Sequence, residues 1–205
     1  KVYSTQGGRR CQTDLRDACG RGLLSRPVSY NSVFKVIEDE KVTPILHDLI
    51  TASALPLKEV ELDFAVDSTG FGTSQFFRYY SEKYGRAVSE HDWLKCHAMV
   101  GVKTNVVTAV RITDRTGNDH PEFVPLVQAT ADAGFGIRDV SADKAYSSRL
   151  NLTFVASKGA TAYIPFKTHT GPEAKGSPVW RRAWHYFSLN REDFLAHYHN
   201  RSNVE

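Results

Sequence analysis

VELDFAVD (60–67), followed by STG (68–70), is the stretch that decides the fold of this chain. Its side chains alternate between an apolar face and an acidic face, formed by Val60, Leu62, Phe64 and Val66 and by Glu61, Asp63 and Asp67. This alternation is typical of a half-buried strand, and the Ser-Thr-Gly sequence predicts a turn that ends the strand at Asp67. Open α/β sheets bind ligands where strands end. Because an Asp before such a turn is also a common turn former, the motif alone leaves its role open.

The bulk composition indicates one globular domain, with room for a small appendage. The chain has 205 residues, of which 41% are hydrophobic, and no apolar run approaches the roughly 20 residues that a membrane helix needs. Three cysteines without metal-like spacing favour a reduced environment. We therefore expect a cytosolic protein without membrane contact. The chain begins with Lys1, so we expect the natural start to lie upstream.

The positive charge is concentrated in two segments. Residues 1–36 carry seven basic against two acidic side chains, and residues 144–191 carry eight against one. Two basic segments around an acidic strand fit a polyanion held near a metal site. Ordinary solvated surface charge explains the same pattern equally well.

We predict two regions. Residues 1–58 form short helices with a basic surface, suited either to DNA contact or to packing, since no helix-turn-helix signature is evident. From residue 59, the periodicity predicts three antiparallel strands (60–67, 94–102 and 106–112), a helix from 122 to 134 and a strand from 137 to 142. A helix capped by Ser147, a strand over 161–166, an insertion near 167–187 and a helix capped by Asn190 complete the region. The fold class is thus α/β, with antiparallel strands followed by parallel ones.

The last helix carries three polar side chains on one face. Tyr198, Arg201 and Glu205 are spaced i, i+3 and i+7, one and two turns apart. Arg201 can hold a phosphate or a carboxylate in bidentate fashion, and Tyr198 can donate a hydrogen bond. On its own, this pattern is common in amphipathic helices.

Three segments taken together resemble the motifs of DDE-type insertion-sequence transposases of bacteria and archaea. They are DSTGF beginning at Asp67, ADKAYSSR with Asp143, and YHNRSNVE, which ends at Glu205 and matches the family's Tyr-x-x-Arg-x-x-x-Glu signature. The resemblance covers the chain from about residue 60. It implies an RNase H-like core that cleaves and joins DNA at transposon ends, with transposon-end and target DNA as partners and a homodimer on DNA. It also implies a cytoplasmic, nucleoid-associated protein of a prokaryote. The family usually carries a Lys two turns beyond the Glu, whereas this sequence stops at Glu205.

The resemblance implies that Asp67, Asp143 and Glu205 hold two Mg²⁺ ions, for which Mn²⁺ can substitute. Convergent carboxylates repel one another, and divalent cations with oxygen ligands remove that cost. Two such ions suit an in-line phosphoryl transfer. We assign Asp67 as the bridging ligand, and Asp143 and Glu205 as ligands of one ion each.

Four further residues are candidate DNA contacts. Lys144 and Arg149 follow Asp143 and suit phosphate binding, and Lys103 is predicted, with His97, to point from its strand toward the site. Trp184, with Trp180, lies in the predicted insertion and suits stacking on a flipped base, although core packing is an equally good explanation. His197 and His199 project from different helix faces, which argues against a zinc pair.

Two other functions fit the same residues. An RNase H-like nuclease would hydrolyse DNA without joining it. A decayed or domesticated derivative would bind DNA in a salt-sensitive manner without catalysis.

Overall fold

The computed structural model describes residues 8–72, 93–114, 116–173 and 176–201. The chain divides into two compact units, residues 1–49 and 50–205. The first unit contains helix α1 (Gly8–Gly20), helix α2 (Tyr30–Glu38) and the beginning of α3 (Val42–Ala54), which continues into the second unit. The side-chain amide of Gln12 joins α1 to the start of α2, donating to the Val28 carbonyl at 2.9 Å and accepting from the Tyr30 amide at 2.8 Å.

The second unit is built on a five-stranded sheet. Its strands are β1 (Asp63–Gly72), β2 (Trp93–Gly101), β3 (Val107–Asp114), β4 (Asp139–Ala142) and β5 (Thr161–Tyr163). The spatial order is β3-β2-β1-β4-β5. The first three strands are antiparallel, and β1, β4 and β5 are parallel. This mixed sheet confirms the predicted RNase H-like arrangement.

Four helices in the described part of this unit accompany the sheet. They are α4 (Phe123–Asp132), α5 (Arg149–Ser157), α6 (Pro178–Leu189) and α7 (Arg191–His199). Short 3₁₀ turns precede α4 (His120–Glu122) and follow β4 (Lys144–Tyr146). No helix in the described ranges is long and apolar enough to cross a membrane.

The hydrophobic core lies on the sheet face that bears Phe64 and Val66. Both side chains are fully buried, and they belong to one cluster with Phe123, Leu126 and Val127 of α4 and with residues of β4, α5 and α6. Burying side chains of this size stabilises the fold by about 1.5–3 kcal/mol each. Phe64 and Val66 are therefore buried as the periodicity predicts.

The beginning of the deciding stretch differs from its predicted alternation. β1 begins at Asp63, so Val60 and Leu62 lie before the strand and are 45% and 39% exposed. Glu61 is instead buried, at 1% exposure. Its carboxylate accepts hydrogen bonds from the backbone amides of Lys103 and Thr104 and from the Thr104 hydroxyl. These donors compensate the loss of hydration, so polarity alone predicted the wrong environment.

The predicted turn after Asp67 is also wrong. β1 continues through Ser68-Thr69-Gly70 to Gly72, because these residues pair with β2. What ends near Asp67 is the pairing with β4, whose last register pair is Val66 with Ala142.

Three other predictions are corrected in the second unit. Ser148, rather than Ser147, caps α5, and its hydroxyl accepts from the Asn151 amide. Residues 178–189 of the predicted insertion form α6, because Ser177 caps this helix and Trp180 is buried in the core. Asn190 occupies the cap position of α7 without a side-chain hydrogen bond.

Candidate active site

Asp67 and Asp143 occupy equivalent positions, directly after the last paired residues of the parallel strands β1 and β4. The register pairs Asp63 with Asp139, Ala65 with Ser141 and Val66 with Ala142, so the next positions along are 67 and 143. Neighbouring strands are about 4.8 Å apart, and side chains alternate between faces. Both carboxylates therefore project from the same sheet face, opposite Phe64 and Val66, although 76 residues separate them in the sequence.

Each acid is also held locally. The Asp67 carboxylate accepts a hydrogen bond from the Ser68 amide at 2.9 Å. Asp143 has extended backbone angles and caps the 3₁₀ turn after β4, accepting from the Lys144 amide at 2.5 Å. Backbone donors thus orient two carboxylates that the sheet has already brought together.

The last helix approaches this pair from above the same sheet face. Arg201, just after α7, has its Nη1 atom 3.7 Å from Asp67 Oδ1, and its side chain is 16% exposed. The guanidinium carbon lies 5.4 Å from the centroid of the Tyr198 ring. Tyr198 in turn stacks with Phe194, a residue of α7 that is buried against Tyr163 of β5. The structure therefore brings Arg201 to Asp67, and it brings Tyr198 to the guanidinium of Arg201.

Glu205, the third predicted acid, lies outside the described residues. Among the residues that the structure does describe, no group of three or more His, Cys, Asp or Glu side chains is arranged to hold a metal ion.

The chemistry of Asp67 and Asp143 nevertheless fits divalent cations. Two ionised carboxylates at the usual spacing of neighbouring strands, about 5 Å, would repel each other by about 3 kcal/mol at an effective dielectric constant of about 20. Arg201 offsets part of this repulsion through its contact with Asp67. Carboxylate oxygens are the ligands that Mg²⁺ and Mn²⁺ prefer, so these two residues are suited to hold such ions.

A further acidic residue, Asp119, contacts polar side chains of β1 and β2 on the sheet face opposite the acid pair. Its Oδ1 atom accepts hydrogen bonds from the Ser68 hydroxyl and the Lys95 ammonium, both at 3.1 Å. His97 Nδ1 lies 3.6 Å from the same oxygen. Sequence analysis identified Asp119 only as the start of a helix. The one available signal was Ser68, the immediate neighbour of Asp67.

Tyr146 lies beneath this network and is 1% exposed. Burial is the main cause that raises the pKa of its hydroxyl, and the negative charges of Asp119, Asp67 and Asp143 raise it further. The phenol is therefore neutral and available as a hydrogen-bond donor at physiological pH.

Two of the predicted DNA contacts lie beside the acid pair. Lys144 and Arg149 are exposed, at the 3₁₀ turn after Asp143 and at the first position of α5. An open cleft of about 430 Å³ adjoins this turn, and its lining includes Ala145, Asp119 and the basic residue Lys167. Exposed basic side chains thus follow Asp143 in the chain, and one more lines the cleft beside this turn.

Two other predicted positions are corrected. Lys103 lies in the turn after β2 at the opposite end of the sheet, where its amide bonds to Glu61. This is roughly 15 Å along the strand from Asp67, at about 3.3 Å per residue. His97 faces away from the acid pair, because its neighbour Ala98 is the register partner of Asp67. It is fully buried, with Nε2 2.9 Å from the Thr113 hydroxyl.

Both tryptophans of the predicted insertion have structural contacts. The indole of Trp180 is buried and donates to the Gly171 carbonyl at 3.0 Å. The indole of Trp184 donates to the Thr170 carbonyl at 2.9 Å and packs partly against the core. These contacts occupy the indole N–H groups with the preceding loop, and they favour core packing over base stacking for the two tryptophans.

A family model described as "Transposase DDE domain" matches residues 59–205. The chain belongs to the DDE transposase family. The match covers the whole sheet and both Asp67 and Asp143, and it agrees with the resemblance that the three sequence motifs carry.

A relative of this DDE transposase domain comes from the archaeon Archaeoglobus fulgidus. It is described as a probable transposase for insertion sequence element ISA1214, and it is 27% identical over 147 residues. The match covers 70% of this chain and 42% of the relative. The chain thus spans less than half the length of the relative that it matches.

Proposed function

We propose that this DDE transposase domain cleaves and joins DNA at the ends of an insertion sequence by metal-dependent phosphoryl transfer. The observation that carries the proposal is that Asp67 and Asp143 directly follow the last register pair of two parallel strands, Val66 with Ala142, with Arg201 3.7 Å from Asp67. A pair of carboxylates flanked by exposed cations suits a phosphodiester substrate better than a neutral one.

The proposed roles follow from the surroundings of each side chain. Asp67 and Asp143 would hold divalent cations, with Glu205 as the third ligand that the family motif implies. When bound, the cations supply Lewis-acid stabilisation of the attacking and leaving oxygens of an in-line displacement. Arg201 orients the Asp67 carboxylate toward the site, since its guanidinium lies 3.7 Å from Asp67 Oδ1.

Substrate binding falls to the basic residues around the acid pair. Lys144 and Arg149 are exposed next to Asp143, and Lys167 lines the adjoining cleft. Lysine and arginine contacts to phosphate position a duplex without reading its sequence. This arrangement would hold a DNA strand across the acid pair, and it leaves recognition of the end sequence to other parts of the protein.

The direct experiment incubates the chain with oligonucleotides that carry the ends of its element, together with a target plasmid and Mg²⁺ or Mn²⁺. We expect cleaved ends and joined products. Asp67→Asn should reduce both by about 1,000-fold or more, because it removes several kcal/mol of transition-state stabilisation. Asp132→Asn is the matched control: Asp132 lies at the end of α4, and its replacement should leave the products unchanged.

The outcomes separate the alternatives. Cleavage without joined products indicates a nuclease that only hydrolyses. Salt-sensitive DNA binding that is insensitive to Asp67→Asn, without cleavage in either metal, indicates a non-catalytic derivative and overturns the proposal.

A further inference from the structure

The polar contacts beneath α7 lie on the same sheet face as the acid pair, one helical turn before Arg201. The His197 ring stacks on Tyr163 of β5, with ring centroids 4.4 Å apart and an interplanar angle of 4°. His197 Nδ1 lies 3.4 Å from Asp139 Oδ2 of β4. The backbone carbonyl of His197 also faces the Ser141 hydroxyl at 3.5 Å. His197 of α7 therefore contacts both β5 and β4, the two strands at this edge of the sheet.

The surroundings make this contact more than incidental packing. On one side of α7, Phe194 is buried among Tyr163, Tyr186 and Phe187. On the other side, apolar packing gives way to a cavity of about 500 Å³ whose lining includes Asp63, Arg138, Asp139 and His197. The His197 contact is consequently what connects this side of the helix to β4.

Asp139 occupies a costly position for a carboxylate. Its side chain is 16% exposed, and burial raises the pKa of the carboxyl group, as does the charge of Asp63 beside it. Arg138 forms an ion pair with Asp63, which leaves one negative charge among the three groups. A residue kept in such surroundings is often kept for its contacts rather than for stability.

We propose that His197 is a positioning residue for the phosphoryl-transfer site. By stacking on Tyr163 and contacting Asp139, it fixes where α7 lies on the parallel strands. Because Arg201 follows four residues later, directly after the end of α7, the same contact sets the approach of the guanidinium to Asp67. The catalytic part of this inference rests on the proposed function, whereas the placement of α7 does not.

The first test measures placement directly by amide hydrogen exchange of the intact chain. His197→Leu removes both the hydrogen bond and the ring stacking, and we expect faster exchange in residues 191–201. His197→Asn keeps a nitrogen at the position of Nδ1 and should restore much of the protection. His199→Leu is the control, because His199 is exposed two residues further on. Wild-type exchange in His197→Leu would overturn the inference.

The second test uses the cleavage assay to measure how His197 affects catalysis. His197→Leu should lower kcat by roughly 10-fold to 100-fold, the range expected for a small misplacement of catalytic groups, with KM for DNA unchanged. In an Arg201→Ala background the same change should have little further effect, because His197 acts through Arg201. Equal losses in both backgrounds, or an unchanged kcat, would overturn the positioning role.

The two tests separate the two proposals. If the wild-type chain cleaves no DNA, the proposed function fails while the exchange measurement still decides whether His197 holds α7. If cleavage is normal in His197→Leu although exchange is faster, the inference fails and the proposed function stands.

Discussion

His97 is a histidine whose ionisation the fold opposes. Its side chain extends from β2 and is fully buried against Thr113 of β3 and Asp119. Burial is the largest influence and lowers the pKa of the ring, while the charges of Asp119 and Glu122 act in the opposite direction. The folded state therefore holds His97 neutral over a pH range in which the unfolded chain binds a proton.

This imbalance predicts a pH-dependent stability. Because the folded pKa lies below the unfolded value of 6.5, the stability due to neutral His97 is fully present above pH 6.5 and is lost as the pH falls below it. His97→Gln should flatten the curve there, by at most about 1.4 kcal/mol per pH unit. Urea unfolding from pH 5 to 8 measures the effect.

The control for this experiment is His169→Gln. His169 is exposed in the loop before α6, so its replacement should leave the wild-type slope intact. A His97→Gln curve as steep as that of the wild type would show that other groups cause the acid sensitivity.

At the scale of the elements, the entry into β1 depends on a close fit between two segments. Glu61 is buried against the end of β2, and a Cβ atom at Gly101 would lie 2.6 Å from Glu61 Cδ. The same carboxylate accepts hydrogen bonds from the turn at Lys103 and Thr104. Glycine at 101 is therefore required by space rather than by backbone angles.

We predict that Gly101→Ala destabilises the domain by about 1–3 kcal/mol, because the added methyl group overpacks the site or displaces a buried carboxylate from its donors. Thermal or urea unfolding measures the loss. Gly171→Ala is the matched control, since nothing lies within 4 Å of the added atom. Equal midpoints for the two variants would contradict the steric explanation.

The elements also show what sequence reasoning can reach. The succession of strands along the chain and α4 followed from periodicity, since Phe64, Val66, Phe123 and Leu126 are buried as their spacing indicates. Asp67 and Asp143 followed from the motifs, and their adjacency follows from the parallel pairing of β1 with β4.

Other features depend on partners that are distant in the sequence. Glu61 is buried only because Lys103 and Thr104 supply donors, and Asp119 reaches Ser68 only after β1 extends past the expected turn. No local pattern carries this information. His197 was likewise considered only as a zinc ligand, because its contacts lie on β4 and β5.

At the scale of the whole molecule, the distribution of charge predicts how DNA binding responds to salt. The formal net charge is only +3, but exposed Lys144 and Arg149 lie next to the acid pair. Replacing both with Ala should reduce the slope of log Kobs against log salt by about 2, because each phosphate contact releases about one counterion. Fluorescence anisotropy with a labelled duplex measures the slope.

Lys103→Ala is the control for this prediction. Lys103 is exposed at the far end of the sheet, so its replacement should leave the slope nearly unchanged. If it lowers the slope as much per residue as the double variant does, DNA covers a much larger surface than the acid pair and its margin.

The hydrogen-bonded ladder between β1 and β4 has an evolutionary consequence. Since side chains alternate, shortening the link between α4 and β4 by one residue, for example by deleting Gly136, would turn Asp143 toward the core if the strand slid to compensate. Length changes in the connection between β4 and α7 leave the two acids where they are. Descendants of this domain should therefore accumulate insertions after the second acid and conserve, to the residue, the spacing that leads into it.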